Sequence, residues 1–362
     1  MPLSERPVEE PLSASHFVLD SPAQSVVGVP QVVFTRDTDT LADLARSYGL
    51  GYDELLAANP DVNPWLPGEN TPVLLPTQFV LPDVERQGIV LNMASKRLFY
   101  FPAVAAGQPV HVKTFPIGIG RVGWETPLGA TTVIDKARDP HWYVPLSVRR
   151  EHAELGDPLP SVVPPGPDNP LGHRVLKLDM PGYLIHGTNQ PYGVGMRVSH
   201  GCVRLYPENI EYLYELVDIG ETVTIINEPF LFGQRDGALY FESHAPLEDD
   251  AIDPQERLNR LLDHWNETLP AGLSDFQAAA VREEAGRASG APVRIDGVQA
   301  DDAVHRARVV RNTVEADPEA PTLAEVREMI DEAVSEAEQE QAGTPTAPGA
   351  TGDGSSGDLS TR

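Results

Sequence analysis

Cysteine is nearly absent: Cys202 is the only one in 362 residues. An intramolecular disulfide therefore cannot form, and a cysteine-rich zinc site is excluded. Positive charge is scarce too. Only 27 residues are Lys or Arg, four of them Lys, against 54 acids, giving a net charge of −27. Phosphate would be repelled, which argues against nucleic acid or an anionic membrane surface as the main partner. No apolar run reaches the ~18 residues that a membrane span needs. The opening MPLSERPVEE carries early acids and two prolines but no apolar stretch, so as it stands it is not a secretory signal. Apolar residues are not lacking, however: at 41% they can fill a core, and at about 150 residues per domain the length suggests two or three folded units.

Residues 1–27 are rich in Pro and Ser and read as an extended or disordered N-terminus. From Gln31 a compact unit begins. Val32-Val33-Phe34 reads as a strand. Asp39 or Thr40 can cap a helix that carries Leu41, Leu44, Ala45 and Tyr48 on one face, with Gly49 ending it. A second short helix runs from Asp53, and Val73 to Pro76 reads as a closing strand, giving a β-α-α-β order over 28–82. Residues 86–229 are strand-rich. Gly88 to Met93 and Arg97 to Phe101 flank a turn, and further strands are expected over His111–Ile119, Ala130–Ile134 and Thr222–Ile226. The Gly118-Ile-Gly120 pair has no following helix and no Lys-Ser/Thr, so it is not a nucleotide loop. Residues 156–172, GDPLPSVVPPGPDNPLG, form a long irregular loop. Beyond Phe230 the chain holds 27 acids against 11 bases. There we expect a strand and helix extension over 230–265, an acidic helical region over 266–340 with a helix from Thr322 to Glu340, and a disordered tail over 341–362.

The chemistry concentrates in YLIHGTNQPYGVGMRVSHGCVRLYPENIEYLYELVDIGETVTII, residues 183–226. Tyr183-Leu184-Ile185 reads as a strand, with His186 leaving its end. A Gly-rich loop follows, and Ser199-His200-Gly201-Cys202 makes a tight turn. Pro207 then opens a helix that carries Ile210, Leu213, Tyr214 and Val217 and stops at Gly220. A free thiol near pKa 8.5 is only a few per cent ionised at neutral pH. An imidazole in reach can take its proton, and consecutive amides of the His200-Gly201-Cys202 turn can hold a developing oxyanion. A lone cysteine is more often simple core filling, but Ser-His-Gly-Cys is polar and falls at a turn. Zinc held by His186, His200 and Cys202 is the competing reading. It is disfavoured because His200 and Cys202 are two residues apart and no fourth ligand has familiar spacing. We therefore expect no metal and no cofactor.

This segment resembles the catalytic domain of the L,D-transpeptidases of bacterial peptidoglycan, whose motif is a His, a gap, then Ser/Thr-His-Gly-Cys, an apolar residue and Asn or Arg. The likeness extends through GIGRVGWETPLGATTVI, VVPPGPDNPLG and GYLIHGTN. The unit over 28–82, with LADLARSYGL, YDELLAANP and VLLP, resembles a lysin motif (LysM), a glycan-binding module. The resemblance implies a mainly β, β-sandwich-like catalytic domain behind a small α/β module. It implies Cys202 as nucleophile, His186 as general base with a backbone carbonyl on its other nitrogen, and His200 shaping the oxyanion site with Gly201 and Ser199. Arg204 would brace the turn or pair with a substrate carboxylate, and Asn189 and Tyr192 would line the cleft. The implied partners are peptidoglycan stem peptides and glycan, and the C-terminal lysine of an outer-membrane lipoprotein as one acceptor. Hydrolysis of the same acyl-enzyme, or a non-catalytic wall-binding scaffold, are the alternatives. The implied location is the periplasm, with the chain start truncated or misassigned.

Overall fold

The computed structural model describes residues 2–105, 107–296 and 303–315. The expected helix Thr322–Glu340 and the tail 341–362 lie outside the described residues. The centre is a mixed nine-stranded sheet. In spatial order its strands are His16–Val18, His111–Pro116, Arg97–Phe101, Gly88–Asn92, Thr222–Ile226, Gly129–Arg138, Arg174–Leu178, Leu184–His186 and Val203–Arg204.

The hairpin Gly88–Asn92/Arg97–Phe101 explains why its two segments read as near-continuous apolar runs. Every residue in both strands is buried, because both faces of the sheet are covered. Successive side chains alternate between two cores. Ile89, Leu91, Leu98 and Tyr100 join the core beneath the helix Pro207–Leu216, with Ile210, Leu213 and Ile225. Val90, Phe99 and Phe101 join the other, with Leu41, Leu44 and Leu55 of the N-terminal helices and Val73 and Leu75 of the closing strand. The 28–82 unit therefore shares a core with the sheet rather than enclosing its own.

That second core is bound by one buried ion pair. Arg97 is 1% exposed and Glu54 is 8% exposed. The guanidinium grips the carboxylate at both oxygens, Nη2 to Oε2 at 2.6 Å and Nε to Oε1 at 3.2 Å, and stacks 4.0 Å from the Phe79 ring centre. Glu54 also accepts the Gly51 amide at 3.0 Å, where the helix Tyr52–Ala58 begins. One carboxylate thus caps its own helix and ties it to the sheet.

The first helix spans Leu41–Ser47. Thr40, not Asp39, is its cap, since its hydroxyl accepts the Asp43 amide at 3.2 Å. Asp39 instead accepts the Arg36 amide at 2.7 Å. The helix from Pro207 ends at Leu216 rather than running to Gly220.

Several expectations are corrected. Residues 1–27 are not simply extended or disordered. His16–Val18 pairs with His111–Pro116, and Val26–Gly28 pairs with Gln78–Val80. Ala14, Leu19 and Val27 are buried in the shared core, and that burial offsets the cost of ordering the segment. Beyond Phe230, a hairpin Phe230–Arg235/Ala238–Ser243 turns at Asp236 and Gly237, both at positive φ as such a two-residue turn requires. The helices Pro254–Thr268 and Asp275–Arg287 bury Leu258, Leu262, Ala280 and Val281 against it. The 266–315 segment is not purely helical either. Val293–Arg294 pairs with the hairpin, and Arg308–Val310 pairs in parallel with Gln31–Phe34.

Removing one partner of a buried ion pair strands the other charge, at a typical cost of about 3–5 kcal/mol. Glu54→Ala should lower the urea unfolding free energy by about that amount. The double variant Glu54→Leu/Arg97→Met should recover most of the loss. If the double variant is as unstable as the single one, the pair is not what binds the helix to the sheet.

Candidate active site

The strand Leu184–His186 lies between Arg174–Leu178, antiparallel, and Val203–Arg204, parallel. In the parallel pair Ile185 stands opposite Val203 and His186 opposite Arg204. Ile185 and Val203 point into the apolar core and are fully buried. Alternation then sends His186, Arg204 and the preceding Cys202 to the opposite face. His186 and Cys202, sixteen residues apart in the chain, thereby fall on one face of the sheet. His186 belongs to the strand itself, rather than leaving its end as expected.

His186 is 3% exposed, and its Nδ1–H donates to the Gly187 carbonyl at 2.6 Å. Burial, reinforced by the Arg204 cation, pushes its pKa down to about 3 against the partial offset of the Gly187 and Leu171 carbonyls. The ring is therefore neutral near pH 7. With its proton on Nδ1, it keeps a lone pair on Nε2.

Cys202 is half-buried, and its Sγ lies 3.6 Å from the Gly182 carbonyl. Burial pushes the thiol up, and the Leu184 amide and the Arg204 cation offset part of that. Both shifts favour the neutral forms, thiol and imidazole. This differs from the ready-made ion pair that the motif alone brings to mind. Arg204 is itself mostly buried, and its Nε has no hydrogen-bond partner among the described residues.

The Ser199–Cys202 turn is held from several sides. The Ser199 hydroxyl accepts the Gly201 amide at 3.2 Å and donates to the Cys202 carbonyl at 2.6 Å. Thr126 Oγ1 donates to the Gly201 carbonyl at 2.7 Å. Gly201 has φ +98°, a conformation that other residues rarely adopt. Its amide already donates to the Ser199 hydroxyl. The amides of His200 and Cys202 make no hydrogen bond among the described residues. Gly120 packs directly behind the turn, where a Cβ would stand 1.9 Å from the Trp124 carbonyl oxygen.

The His200 side chain has its own set of partners. Its Nε2 lies 2.9 Å from Glu151 Oε2 and 3.0 Å from Arg121 Nη2, and its ring meets Trp124 edge-on at 4.9 Å. Arg121 also hydrogen-bonds Glu151. Burial lowers the His200 pKa, Glu151 offsets part of this, and Arg121 and His152 add to it. Asn189 donates to the Pro167 carbonyl at 3.1 Å, bracing the long loop. Tyr192 is 60% exposed in the short turn Pro191–Gly193, on the side of Arg46. No hydrogen bond or ion pair joins Asn189 or Tyr192 to Cys202 or His186 among the described residues.

Sequence reading missed Glu151, Arg121 and Thr126. Arg121 and Thr126 lie inside GIGRVGWETP, so that stretch was the available signal. Glu151 sits on the unanticipated helix Leu146–Glu154, where only Val148 is buried. That helix has almost no apolar stripe from which it could be read.

Residues 86–225 match the family model of the YkuD L,D-transpeptidase catalytic domain. The chain is 38% identical over 273 residues to the probable L,D-transpeptidase ErfK/SrfK of Salmonella typhimurium, covering 74% of this chain and 85% of that one. It is 37% identical over 290 residues to the probable L,D-transpeptidase YbiS of Escherichia coli, covering 78% and 93%. Among solved structures it is similar to the catalytic domain of the Enterococcus faecium L,D-transpeptidase, with 21% identity, 40% of this chain and 100% of that one covered, and a TM-score of 0.30. On the identity and coverage of the curated relatives, the chain belongs to the L,D-transpeptidase family, as an enzyme whose catalytic domain is that of the YkuD proteins.

Proposed function

We propose that the protein joins peptidoglycan stem peptides to an amine through a thioester on Cys202. The observation that carries this reading is the shared sheet face of Cys202, His186 and Arg204, fixed by the pairing of Ile185 with Val203. Cys202 Sγ attacks the carbonyl at the L-centre of a tetrapeptide donor. His186 Nε2 takes the thiol proton as the carbon–sulfur bond forms, and the Gly187 carbonyl holds the ring in the required tautomer. The tetrahedral oxyanion is received by the free amides of the turn. When it collapses, the peptide bond breaks, the proton returns to the leaving nitrogen, and D-alanine departs. An acceptor amine then attacks the thioester, giving an amide and regenerating the thiol. The thioester keeps the acyl-transfer potential of the broken bond, so no nucleotide is consumed.

Arg204 lies opposite His186, its Nε has no hydrogen-bond partner among the described residues, and its charge suits a substrate carboxylate. The β-α-α-β unit at 28–82 fits a lysin-motif role in holding glycan, and the substrate implies work in the periplasm. Acceptor access decides the product. A diaminopimelate side chain yields a 3→3 crosslink, a lipoprotein lysine yields an envelope tether, and water yields a tripeptide.

Incubation with a carbapenem, followed by mass spectrometry of the intact chain, tests the nucleophile. A covalent adduct is expected on the wild type and none on Cys202→Ala, while His186→Gln should acylate about 10²–10⁴-fold more slowly. An unmodified but folded wild type would leave only the wall-binding scaffold. Purified muropeptides, with and without a lipoprotein C-terminal peptide, separate dimers, tethered peptide and tripeptide as products.

The buried imidazole also sets a pH dependence. In the unfolded chain His186 titrates near 6.5, and in the folded protein near 3. The unfolded state therefore binds the proton first, and the His186 contribution to stability is lost as pH falls from about 6.5 towards 3. Urea unfolding across that window should lose stability less steeply in His186→Gln than in the wild type. Equal slopes would mean that the ring is not held neutral.

A further inference from the structure

We propose that Glu151 is a positioning residue for acyl transfer: it fastens the helix Leu146–Glu154 to the catalytic turn and, through the His200 ring, holds the turn amides in place. This rests on Cys202 being the nucleophile.

The contacts form a closed clamp. Glu151 Oε2 is 2.9 Å from His200 Nε2, and its other oxygen takes the Arg121 guanidinium. The Arg121 backbone amide in turn donates to the Ser199 carbonyl at 3.0 Å. One carboxylate therefore reaches the Ser199–Cys202 turn by two routes, a side chain at His200 and a backbone bond at Ser199. Burial works against the charge on Glu151, but the hydrogen bonds from Arg121 and His200 outweigh it and hold the carboxyl below its ordinary range.

With Glu151 ionised, His200 places its proton on Nε2 and donates it to the carboxylate. That nitrogen cannot then serve as acceptor for the thiol. The groups facing the ring are Glu151 and His152 from the helix, and Arg121 and Trp124 from the loop after Gly120. The edge-on Trp124 ring restricts the remaining rotation. Because the His200 side chain is pinned, its backbone amide is pinned as well. That amide and the one on Cys202 are the two left free to meet an oxyanion.

The position of Glu151 separates this role from general packing. Its side chain keeps 30% of its surface exposed, as Arg121 keeps 38%. Pairs this exposed add little to global stability. Losing the carboxylate should misplace the turn without unfolding the chain.

The test compares two reactions of the same sulfur in the full chain. Alkylation by iodoacetamide needs a thiol but no oxyanion site, whereas acylation by a carbapenem needs both. Glu151→Ala should slow acylation roughly tenfold or more, a fraction of the 10²–10³ that a whole oxyanion donor is worth. Its alkylation rate should stay within about twofold of wild type, and its melting temperature should barely move. Glu151→Gln keeps a carbonyl that accepts from His200 Nε2–H, so it should retain most of the acylation rate. Wild-type acylation in Glu151→Ala overturns the proposal, as does a proportional loss of both reactions or a failure of Glu151→Gln to rescue. A wild-type chain that alkylates but never acylates overturns the nucleophile reading, and this proposal with it.

Discussion

Two residues of parallel pairing, Ile185 with Val203 and His186 with Arg204, are the constraint on which the site depends. The pairing is short, yet its register is strongly specified. A slip of one residue would send Ile185 or Val203 out of the core and turn His186 or Cys202 inward. Both apolar residues are essentially fully buried, so a slip of either strand would take a side chain out of the apolar core and turn a polar one into it. The precision of the polar face is thus bought on the apolar one. The strands at the two ends of the Gly-rich connection from Gly187 to Gly195 set His186 opposite Arg204, and the connection itself is anchored at Val194, which is fully buried.

The same two-faced logic reaches the N-terminal unit. The strands Gly88–Asn92 and Arg97–Phe101 present one row of side chains to the core beneath the helix Pro207–Leu216 and the other to the helices Leu41–Ser47 and Tyr52–Ala58. Arg97 lies on the second row, where an apolar residue would be expected, and Glu54 meets it there. A buried pair of this kind is weak evidence for stability as such, because desolvation consumes much of the attraction. What it adds is direction. A carboxylate that caps its own helix and also meets a fixed guanidinium specifies how that helix sits on the sheet. The Tyr52 amide also donates to the Val194 carbonyl at 3.2 Å, so the orientation of the N-terminal unit reaches the loop between His186 and Cys202.

Much of this was legible from residues whose partners are close in the chain. Thr40 and Asp43, Asp253 and the helix behind it, the turn between Asn92 and Arg97, and the Ser-His-Gly-Cys turn are all decided within a few positions. The hidden parts depend on distant partners. His16-Phe17-Val18 is three residues with one half-buried side chain, and only its pairing with the strand His111–Pro116 makes it a strand. Arg308–Val310 is ordered by Gln31–Phe34, almost three hundred residues away. In the site, the motif identified His186 and Cys202 as a pair but not the state in which they rest. That state follows from burial and from Arg204, neither of which a linear pattern records. It likewise could not record that Ser199 withdraws the Gly201 amide, or that His200 faces an acid on a separate helix.

A raised thiol and a depressed imidazole have a consequence for how such a site must work. Proton transfer from Cys202 to His186 in the resting protein runs uphill at both ends: the sulfur holds its proton more tightly than a free thiol, and the ring accepts one less readily than a free imidazole. In the reaction proposed for Cys202, these two shifts oppose a thiolate that forms first and waits for substrate. They favour proton loss that accompanies bond formation, with charge leaving the sulfur for the substrate oxygen. The driving force then comes from whatever stabilises that oxygen. In the proposed reaction that oxygen would meet a turn with one amide already engaged, which puts weight on the groups that hold the turn, Ser199 and Thr126 from within and His200 from the flank.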